Sequence, residues 1–304
     1  MSHLEAASLY DVKGLVAVIT GGGSGLGRTM ALTLAANGAS KIFILGRREA
    51  SLQETISLAP ADKQSTIVAV PADVSSQSSL EEAYNTISSQ TTHVDTLIVN
   101  SGILGPPAKI KTKDDGSLPS IEELKEYLWG IPMEEFNKVF EVNTTGAYYT
   151  AIAFLPLLSA ANKRRPAPEK NVLSAPLAQI IITSSIAGFS RRVPFDFAYN
   201  LSKSAVNHLI KILATSLADY QIRVNGIAPG LYQSEMTTGN NFQEGDRGVS
   251  DGSFEKELIP MTRAGGEEDI AGLVLWMTSR VGGYLNGNIT VTDGGRLSIL
   301  PNVY

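Results

Sequence analysis

Cysteine is absent from this 304-residue chain. That excludes disulfides, thiolate nucleophiles and cysteine-ligated metals, and it fits a reducing compartment. Long basic runs are also missing, and the net charge is a mild −5. Nucleic acid is therefore not an expected partner. No apolar run reaches membrane-spanning length, so no membrane association is expected. The opening MSHLEAASLYDVKG has no basic segment leading into an apolar one. No secretory leader is read there, and the cytoplasm is the expected location. Histidine is scarce: His3, His93 and His208 are scattered and read as surface or packing residues. No metal site is expected.

What is present is alternation. Short apolar runs fall at Leu15–Thr20, Ile42–Leu45, Ile67–Val70, Thr96–Val99, Gln179–Thr183, Ile222–Ile227 and Asn288–Thr292. Most are continuous, as for strands covered on both faces. Helical stretches lie between them: Leu26–Asn37, Ala50–Ile56, Ser79–Ser88, Met133–Leu158, Ala198–Asp219 and Glu267–Thr278. This pattern predicts one α/β domain over 1–304: a doubly wound, seven-stranded parallel sheet of the Rossmann type, with helices on both faces. Two stretches interrupt the alternation and read as insertions. Residues 105–132 carry a Pro-Pro pair and a short helix at Ile121–Tyr127, and residues 162–176 form a polar, proline-rich loop.

After the first strand comes "ITGGGSGLG", Ile19–Gly27, with five glycines in nine residues. Glycine lets a chain turn tightly and lets backbone amides approach a phosphate at a helix N-terminus. Gly21, Gly25 and Gly27 are spaced Gly-x-x-x-Gly-x-Gly. Residues Gly22 to Thr29 also come within one residue of a P-loop, but Arg28 stands where that motif needs lysine. No apolar strand ends in an aspartate suited to Mg²⁺. A dinucleotide is the better reading of the phosphate, and a purely structural turn remains the simpler one.

Farther along, Tyr199 is the only tyrosine of ten with a lysine, Lys203, four residues on. Positions i and i+4 share a helix face. A cation beside a phenol favours phenolate, so Lys203 is expected to lower the Tyr199 pKa toward neutrality. Such a phenol exchanges a proton with an alcohol or carbonyl oxygen. Ser184 and Ser185 follow the apolar run Gln179–Thr183, which puts Ser185 at the sheet edge that also carries the glycine loop.

With these motifs in this order, the chain resembles the short-chain dehydrogenase/reductase family, in its Thr-Gly-x-x-x-Gly-x-Gly and Tyr-x-x-x-Lys branch. The resemblance covers nearly the whole chain. It implies that Gly21, Gly23, Ser24, Gly25, Leu26 and Gly27 hold the cofactor's pyrophosphate. Asp73 and Val74 match the pair that lies against adenine. Asn100 and Gly102 in "VNSG" match the family's Asn-Asn-Ala-Gly turn. Pro229 and Gly230 match the nicotinamide-side turn, and "TVTDGG" the last strand and its exit. The resemblance implies four catalytic residues: Asn143, Ser185, Tyr199 and Lys203. Tyr199 is then the acid in reduction and the base in oxidation, and Ser185 orients the substrate oxygen. Lys203 also holds the nicotinamide ribose, and Asn143 holds a water for proton relay. The chain departs from the pattern at Val99 and Ser101. Ser185 stands fourteen residues before Tyr199, one more than usual, which keeps Ser184 open as an alternative. Ser234 replaces a threonine whose hydroxyl meets the carboxamide, and keeps the hydroxyl. The longer loops resemble fungal members and rhamnolipid-type 3-oxoacyl reductases.

Cofactor preference turns on one corner. NAD-binding members carry an acid after the second strand to take the ribose 2′-OH. Here that strand runs into Gly46-Arg47-Arg48. Arg47 is suited to a 2′-phosphate, so NADP(H) is expected over NAD(H). Residues 231–261 are expected to form a substrate lid with mobile glycines, mixing in Tyr232, Met236, Phe242, Phe254 and Leu258, although much of this apolar surface could equally serve as core or subunit contact. Phe189, Phe195 and Phe197 flank the serine and tyrosine. These residues predict an apolar pocket for a neutral carbonyl or alcohol of secondary metabolism, polycyclic or polyketide-like. Three functions stay in view: an NADPH-dependent ketone reductase, an NAD(P)⁺-dependent alcohol dehydrogenase, and a dinucleotide-binding regulatory protein without turnover. The resemblance implies a homotetramer or homodimer built through the helices at Met133–Leu158 and Ala198–Asp219.

Overall fold

The computed structural model describes residues 2–107, 116–170, 173–193, 196–234 and 247–304. Seven strands form one parallel sheet: β1 (Val16–Thr20), β2 (Lys41–Gly46), β3 (Ile67–Pro71), β4 (Thr96–Val99), β5 (Gln179–Thr183), β6 (Arg223–Pro229) and β7 (Ile289–Thr292), in the spatial order β3-β2-β1-β4-β5-β6-β7. The helices are α1 (Ala6–Leu9), α2 (Gly25–Ala36), α3 (Glu49–Leu58), α4 (Gln77–Ser88), α5 (Ile121–Trp129), α6 (Met133–Phe140), α7 (Gly146–Ala153), α8 (Leu155–Lys163), α9 (Phe197–Ser216), α10 (Glu267–Thr278) and α11 (Arg296–Ile299).

The continuous apolar runs have a direct physical reason. Successive residues of a strand point to opposite faces. In β1, Val16 and Val18 enter a core with Phe43, Leu97, Phe154 and Ile182. Ala17 and Ile19 enter a second core with Met30, Leu34, Ile44 and Met277. Both faces are dry, so every position must be apolar. The direction of strand order reverses between β1 and β4, which opens a crevice at their carboxyl ends. All the sequence-identified motifs exit at that edge.

One helix departs from expectation. Met133–Leu158 is not continuous: α6 passes into a π-type turn at Glu141–Thr145, then α7, and after Phe154 into α8. Pro156, at the start of α8, cannot donate the amide that continuity would require. The helix at Ile121 is present and begins with a capping box between Ser120 and Glu123. Within the 162–176 loop, the first two residues still belong to α8.

Candidate active site

The glycine loop is shaped by close contacts that only hydrogen tolerates. A Cβ at Gly27 would sit 2.3 Å from the Gly21 carbonyl oxygen. Gly21 and Gly25 have φ of +68° and +49°, where side chains are strained. The loop's carbonyls are held from behind. Thr55 Oγ1 donates to Gly22 O at 3.0 Å, and Arg28 Nη2 to Gly23 O at 2.6 Å. Arg28 also pairs with Glu54 at 2.6 Å. It therefore braces the loop against α3, which closes the P-loop alternative. At the front, the first amides of α2 have no helical acceptor, as at any helix start. They lie where the helix dipole favours an anion.

A cleft opens beside this loop, lined by Gly21, Gly23, Ser24, Arg47, Arg48, Asp73, Val74 and Gly102 among others. Asp73 is fixed by accepting from the Ser75 amide at 3.0 Å and its hydroxyl at 2.6 Å. The Ser75 hydroxyl, above all, holds this carboxyl below its ordinary pKa, and Arg47 adds to the effect. The cleft suits a dinucleotide: glycine-lined at the phosphate position, cationic beside β2, with a carboxylate at its far wall. Leu26 packs against the core below the loop. Ser234 reaches over the loop: a Cβ at Gly25 would lie 3.0 Å from Ser234 Cβ. Gly230 follows Pro229 at the end of β6 and donates its amide to Thr292 O at 2.9 Å. Asn100 is a brace. Its Oδ1 accepts from Thr183 Oγ1 at 3.1 Å, and its Nδ2 lies 2.6 Å from where a Gly27 Cβ would be.

At the other end of the crevice, α9 presents Tyr199 and Lys203. Its N-cap is Asp196, whose Oδ1 accepts from Tyr199 N at 2.6 Å. Ser185 ends the extended segment after β5; its Oγ accepts from Ala187 N at 3.1 Å, and its hydroxyl stands beside the Tyr199 phenol, whose pKa it lowers. Ser184 is committed elsewhere, donating to Asn207 Oδ1 at 2.5 Å, within range of the Lys203 carbonyl at 3.3 Å, and only 2% exposed. Of the two serines, Ser185 therefore faces the phenol. Lys203 Nζ donates to Thr183 O at 2.8 Å and lies 5.7 Å from the Tyr199 ring centroid. Asn143 sits in the π-type turn, a common device at functional sites. Its Oδ1 accepts from Ile103 N at 2.8 Å; its Nδ2 donates to Ile103 O at 3.0 Å and Ser202 Oγ at 3.1 Å. A Cβ at Gly102 would meet Asn143 Oδ1 at 3.3 Å and Lys203 Nζ at 3.5 Å. The fold thus brings Gly102, Asn143 and Lys203 to one point.

Burial dominates the electrostatics of this pair. Burial pushes the Tyr199 phenol above its ordinary pKa; the Ser185 hydroxyl pulls it back and the Asp196 charge pushes it up again. Burial also drops the Lys203 ammonium to about 8. That ammonium lies near the Tyr199 ring, where burial makes its charge costly.

The residues of the 231–261 stretch divide between core and surface. Tyr232 is buried with its hydroxyl 2.5 Å from Thr292 Oγ1, and Phe254 packs with Ile259 and Ala264 in a small separate core. Both are packing residues. Leu258 is partly exposed, while Met236, Phe242 and Phe195 lie outside the described residues. Phe189 packs on the main core and edge-on against Tyr304, with ring centroids 5.0 Å apart. Phe197 is partly buried as the first residue of α9. His3 and His208 are exposed, and His93 Nε2 lies 3.6 Å from Asp95. No group of three or more potential metal-ligating side chains occurs among the described residues. No helix among them is long and apolar enough to cross a membrane.

Asp196 was not among the sequence candidates. An acid just before a helical pattern is an N-cap signal, so its capping role was readable. Its second contact, with Gly105, was not.

Comparison with known proteins agrees with this geometry. The family model described as "short chain dehydrogenase" matches residues 15–245. The short-chain dehydrogenase/reductase PhomF of Diaporthe leptostromiformis is 40% identical over 304 residues, covering 99% of this chain and 97% of that one. The short-chain dehydrogenase/reductase SAT3 of Stachybotrys chartarum is 39% identical, covering 90% and 100%. Among solved structures, the Pseudomonas aeruginosa RhlG/NADP active-site complex superposes with a TM-score of 0.74 at 27% identity, covering 94% of this chain and 98% of that one. The Brucella melitensis 3-ketoacyl-(acyl-carrier-protein) reductase complexed with NADH has a TM-score of 0.72 at 25% identity, covering 94% and 99%. The chain belongs to the short-chain dehydrogenase/reductase family and is an NAD(P)-dependent oxidoreductase.

Proposed function

We propose that this protein is an NADPH-dependent reductase of a largely apolar ketone in fungal-type secondary metabolism. The observation that carries the reading is the buried Tyr199 phenol, brought together with Ser185 and Lys203 at the carboxyl edge of the sheet. A protonated phenol at neutral pH is the acid that carbonyl reduction needs; alcohol oxidation needs the phenolate. The nicotinamide cofactor supplies hydride chemistry when bound. Tyr199 gives its proton to the carbonyl oxygen, and Ser185 donates a hydrogen bond that orients that oxygen and steadies its developing charge. Lys203 is held by Thr183 O through one ammonium proton, which leaves others for the cofactor's ribose. The Asn143 side chain is committed to Ile103 and Ser202, so a role in proton relay falls to its backbone.

The NADP(H) preference is supported by Arg47 and Arg48 at the cleft and by the lack of an acid in Gly46-Arg47-Arg48. The printed titles name both NADP and NADH among the similar structures, so they do not discriminate. Reduction of a ketone accords with relatives named as a rhamnolipids biosynthesis 3-oxoacyl-[acyl-carrier-protein] reductase and a trihydroxynaphthalene reductase. A homodimer or homotetramer is proposed from exposed apolar side chains on the two long helical regions: Tyr148, Tyr149 and Ile152 on α7, and Leu201 and Ile212 on α9. The testing experiment titrates purified protein with NADPH and NADH, then follows NADPH consumption with a panel of apolar ketones at neutral pH. Tighter NADPH binding with ketone-dependent turnover is expected. Tighter NADH binding, or turnover only from the alcohol side, overturns the reading.

A further inference from the structure

The chain that leads from Ser185 toward Tyr199 is fastened close to both. Ser185 Oγ accepts from Ala187 N at 3.1 Å, so the turn Ile186–Gly188 occupies one side of that hydroxyl. Gly188 donates its amide to Ser185 O at 3.1 Å, and its carbonyl accepts from Ser204 Oγ at 2.8 Å. A Cβ at Gly188 would lie 2.7 Å from the Lys203 carbonyl oxygen, so the turn sits directly on the part of α9 that carries Lys203. Farther on, Arg192 O accepts at 3.1 Å from the side chain of Asn200, the neighbour of Tyr199 in the chain.

The middle of this stretch is held by a distant part of the chain. Residues 300–304, after α11, run beside residues 189–191, with an antiparallel bridge between Ser190 and Asn302. Arg191 N donates to Pro301 O at 2.7 Å, and Val303 N to Phe189 O at 2.9 Å. The Phe189 and Tyr304 rings meet edge to face. One side chain sets the curl of the segment. Asn302 Nδ2 donates to Leu297 O at 2.6 Å and Leu300 O at 2.7 Å, and its Oδ1 accepts from Tyr304 N at 3.1 Å. The root is fixed as well: Asp293 accepts from Gly295 N at 2.9 Å and Leu297 N at 2.6 Å. Asp293 also abuts the end of β6, where a Cβ at Gly230 would lie 2.7 Å from its Cα. The stretch 293–304 therefore spans from the turn at Pro229–Gly230 to the serine loop.

We propose that residues 300–304 act as a strap that fixes Ser185 against Tyr199, with Asn302 and Tyr304 as positioning residues for the carbonyl step. The proposal rests on the reductase reading above. Tyr304 is 71% exposed, so its ring buries little area, and the two large cores lie elsewhere. The strap therefore contributes little to folding, and its effect falls on placement. A group that orients a reacting oxygen is sensitive to placement, because small displacements cost rate steeply. Ser185 is such a group, and its hydroxyl is oriented by the turn that the strap holds.

The test compares Asn302→Ala, Tyr304→Ala and Tyr304→Phe with the wild type. Asn302→Ala removes three hydrogen bonds and Tyr304→Ala only a ring, so the second guards against misfolding of the first. The first readout needs no turnover: the ¹³Cζ NMR signal of Tyr199 at neutral pH, assigned by its loss in Tyr199→Phe, senses what the hydroxyl meets. Both alanine variants should shift it in the direction that Ser185→Ala does, and should add nothing once Ser185 is replaced. Tyr304→Phe keeps the ring and should keep the wild-type signal. With NADPH and 2-tetralone as the probe ketone, kcat of Asn302→Ala should fall about tenfold, while KM and NADPH affinity stay within about twofold. A merely structural role would lower the melting temperature and leave kcat of the folded enzyme unchanged. An unmoved signal in the folded variants, a shift that persists without Ser185, or a moved signal with unchanged kcat overturns the proposal. If the signal moves as expected but the wild type reduces neither 2-tetralone nor any other ketone of the panel, the reductase reading fails while the strap stands.

Discussion

The two ends of the crevice solve opposite problems. At the glycine loop, the ligand-facing atoms are backbone, and side chains are removed so that an anion can approach. Around Tyr199, the acting atoms are side chains, and they are buried so that their proton affinities are changed. The first end is sensitive to added volume and the second to added or removed charge. That contrast orders the tests.

The largest effect is expected from Tyr199→Phe. Removing one hydroxyl should cut kcat by about 10²–10⁴-fold and leave cofactor affinity within twofold or so; steady-state kinetics beside a binding titration checks both. A variant that loses cofactor binding to the same degree would erase the division between the two ends. At the loop, Gly27→Val should cost ~1–3 kcal/mol in stability by overpacking, because the new Cβ would meet the Gly21 carbonyl at 2.3 Å. Cofactor affinity should fall roughly tenfold or more, read by thermal melts and titration.

Arg47→Ala tests charge at the end governed by shape. It should weaken NADPH binding about tenfold, near the lower end of a charge-assisted hydrogen bond, and leave NADH nearly unchanged. Equal losses for both cofactors would remove the arginine from the discrimination. The smallest effect is thermodynamic. Lys203 is lowered from 10.5 to about 8 by burial. Between those values the unfolded chain binds the proton and the folded chain does not, so stability rises with pH across that window. Below about 8 both states are protonated, and the folded state carries the cost of a buried cation. Lys203→Met should therefore have its most favourable Tm relative to wild type near pH 7, and that relative gain should shrink as pH rises toward 10.5. A pH-independent difference would mean that the ammonium is hydrated in the folded chain.

Legibility in the sequence followed the same division. The loop's glycines, the strand that feeds it and the Tyr199–Lys203 spacing are local, and local geometry is what sequence spacing encodes. The two serines show where this stops. Ser184 and Ser185 are neighbours with equal chemistry, and only packing against Asn207 takes Ser184 out of contention. Tyr232 and Phe254 had the composition of a pocket wall, yet tertiary contacts made them core. The single helix expected at Met133–Leu158 loosens into a π-type turn where Asn143 reaches Ile103, and it breaks only at Phe154.

By itself, then, the sequence determined the parallel α/β sheet, the phosphate-binding edge and the tyrosine–lysine pair. Periodicity and short spacings act within one strand or one helical turn. Only the tertiary structure decided which serine meets the phenol, that Arg28 braces rather than binds, and that Asp196 joins residues 91 positions apart. It also decided how deeply Tyr199 and Lys203 are buried. Desolvation depends on everything packed around a group, and no spacing along the chain records that.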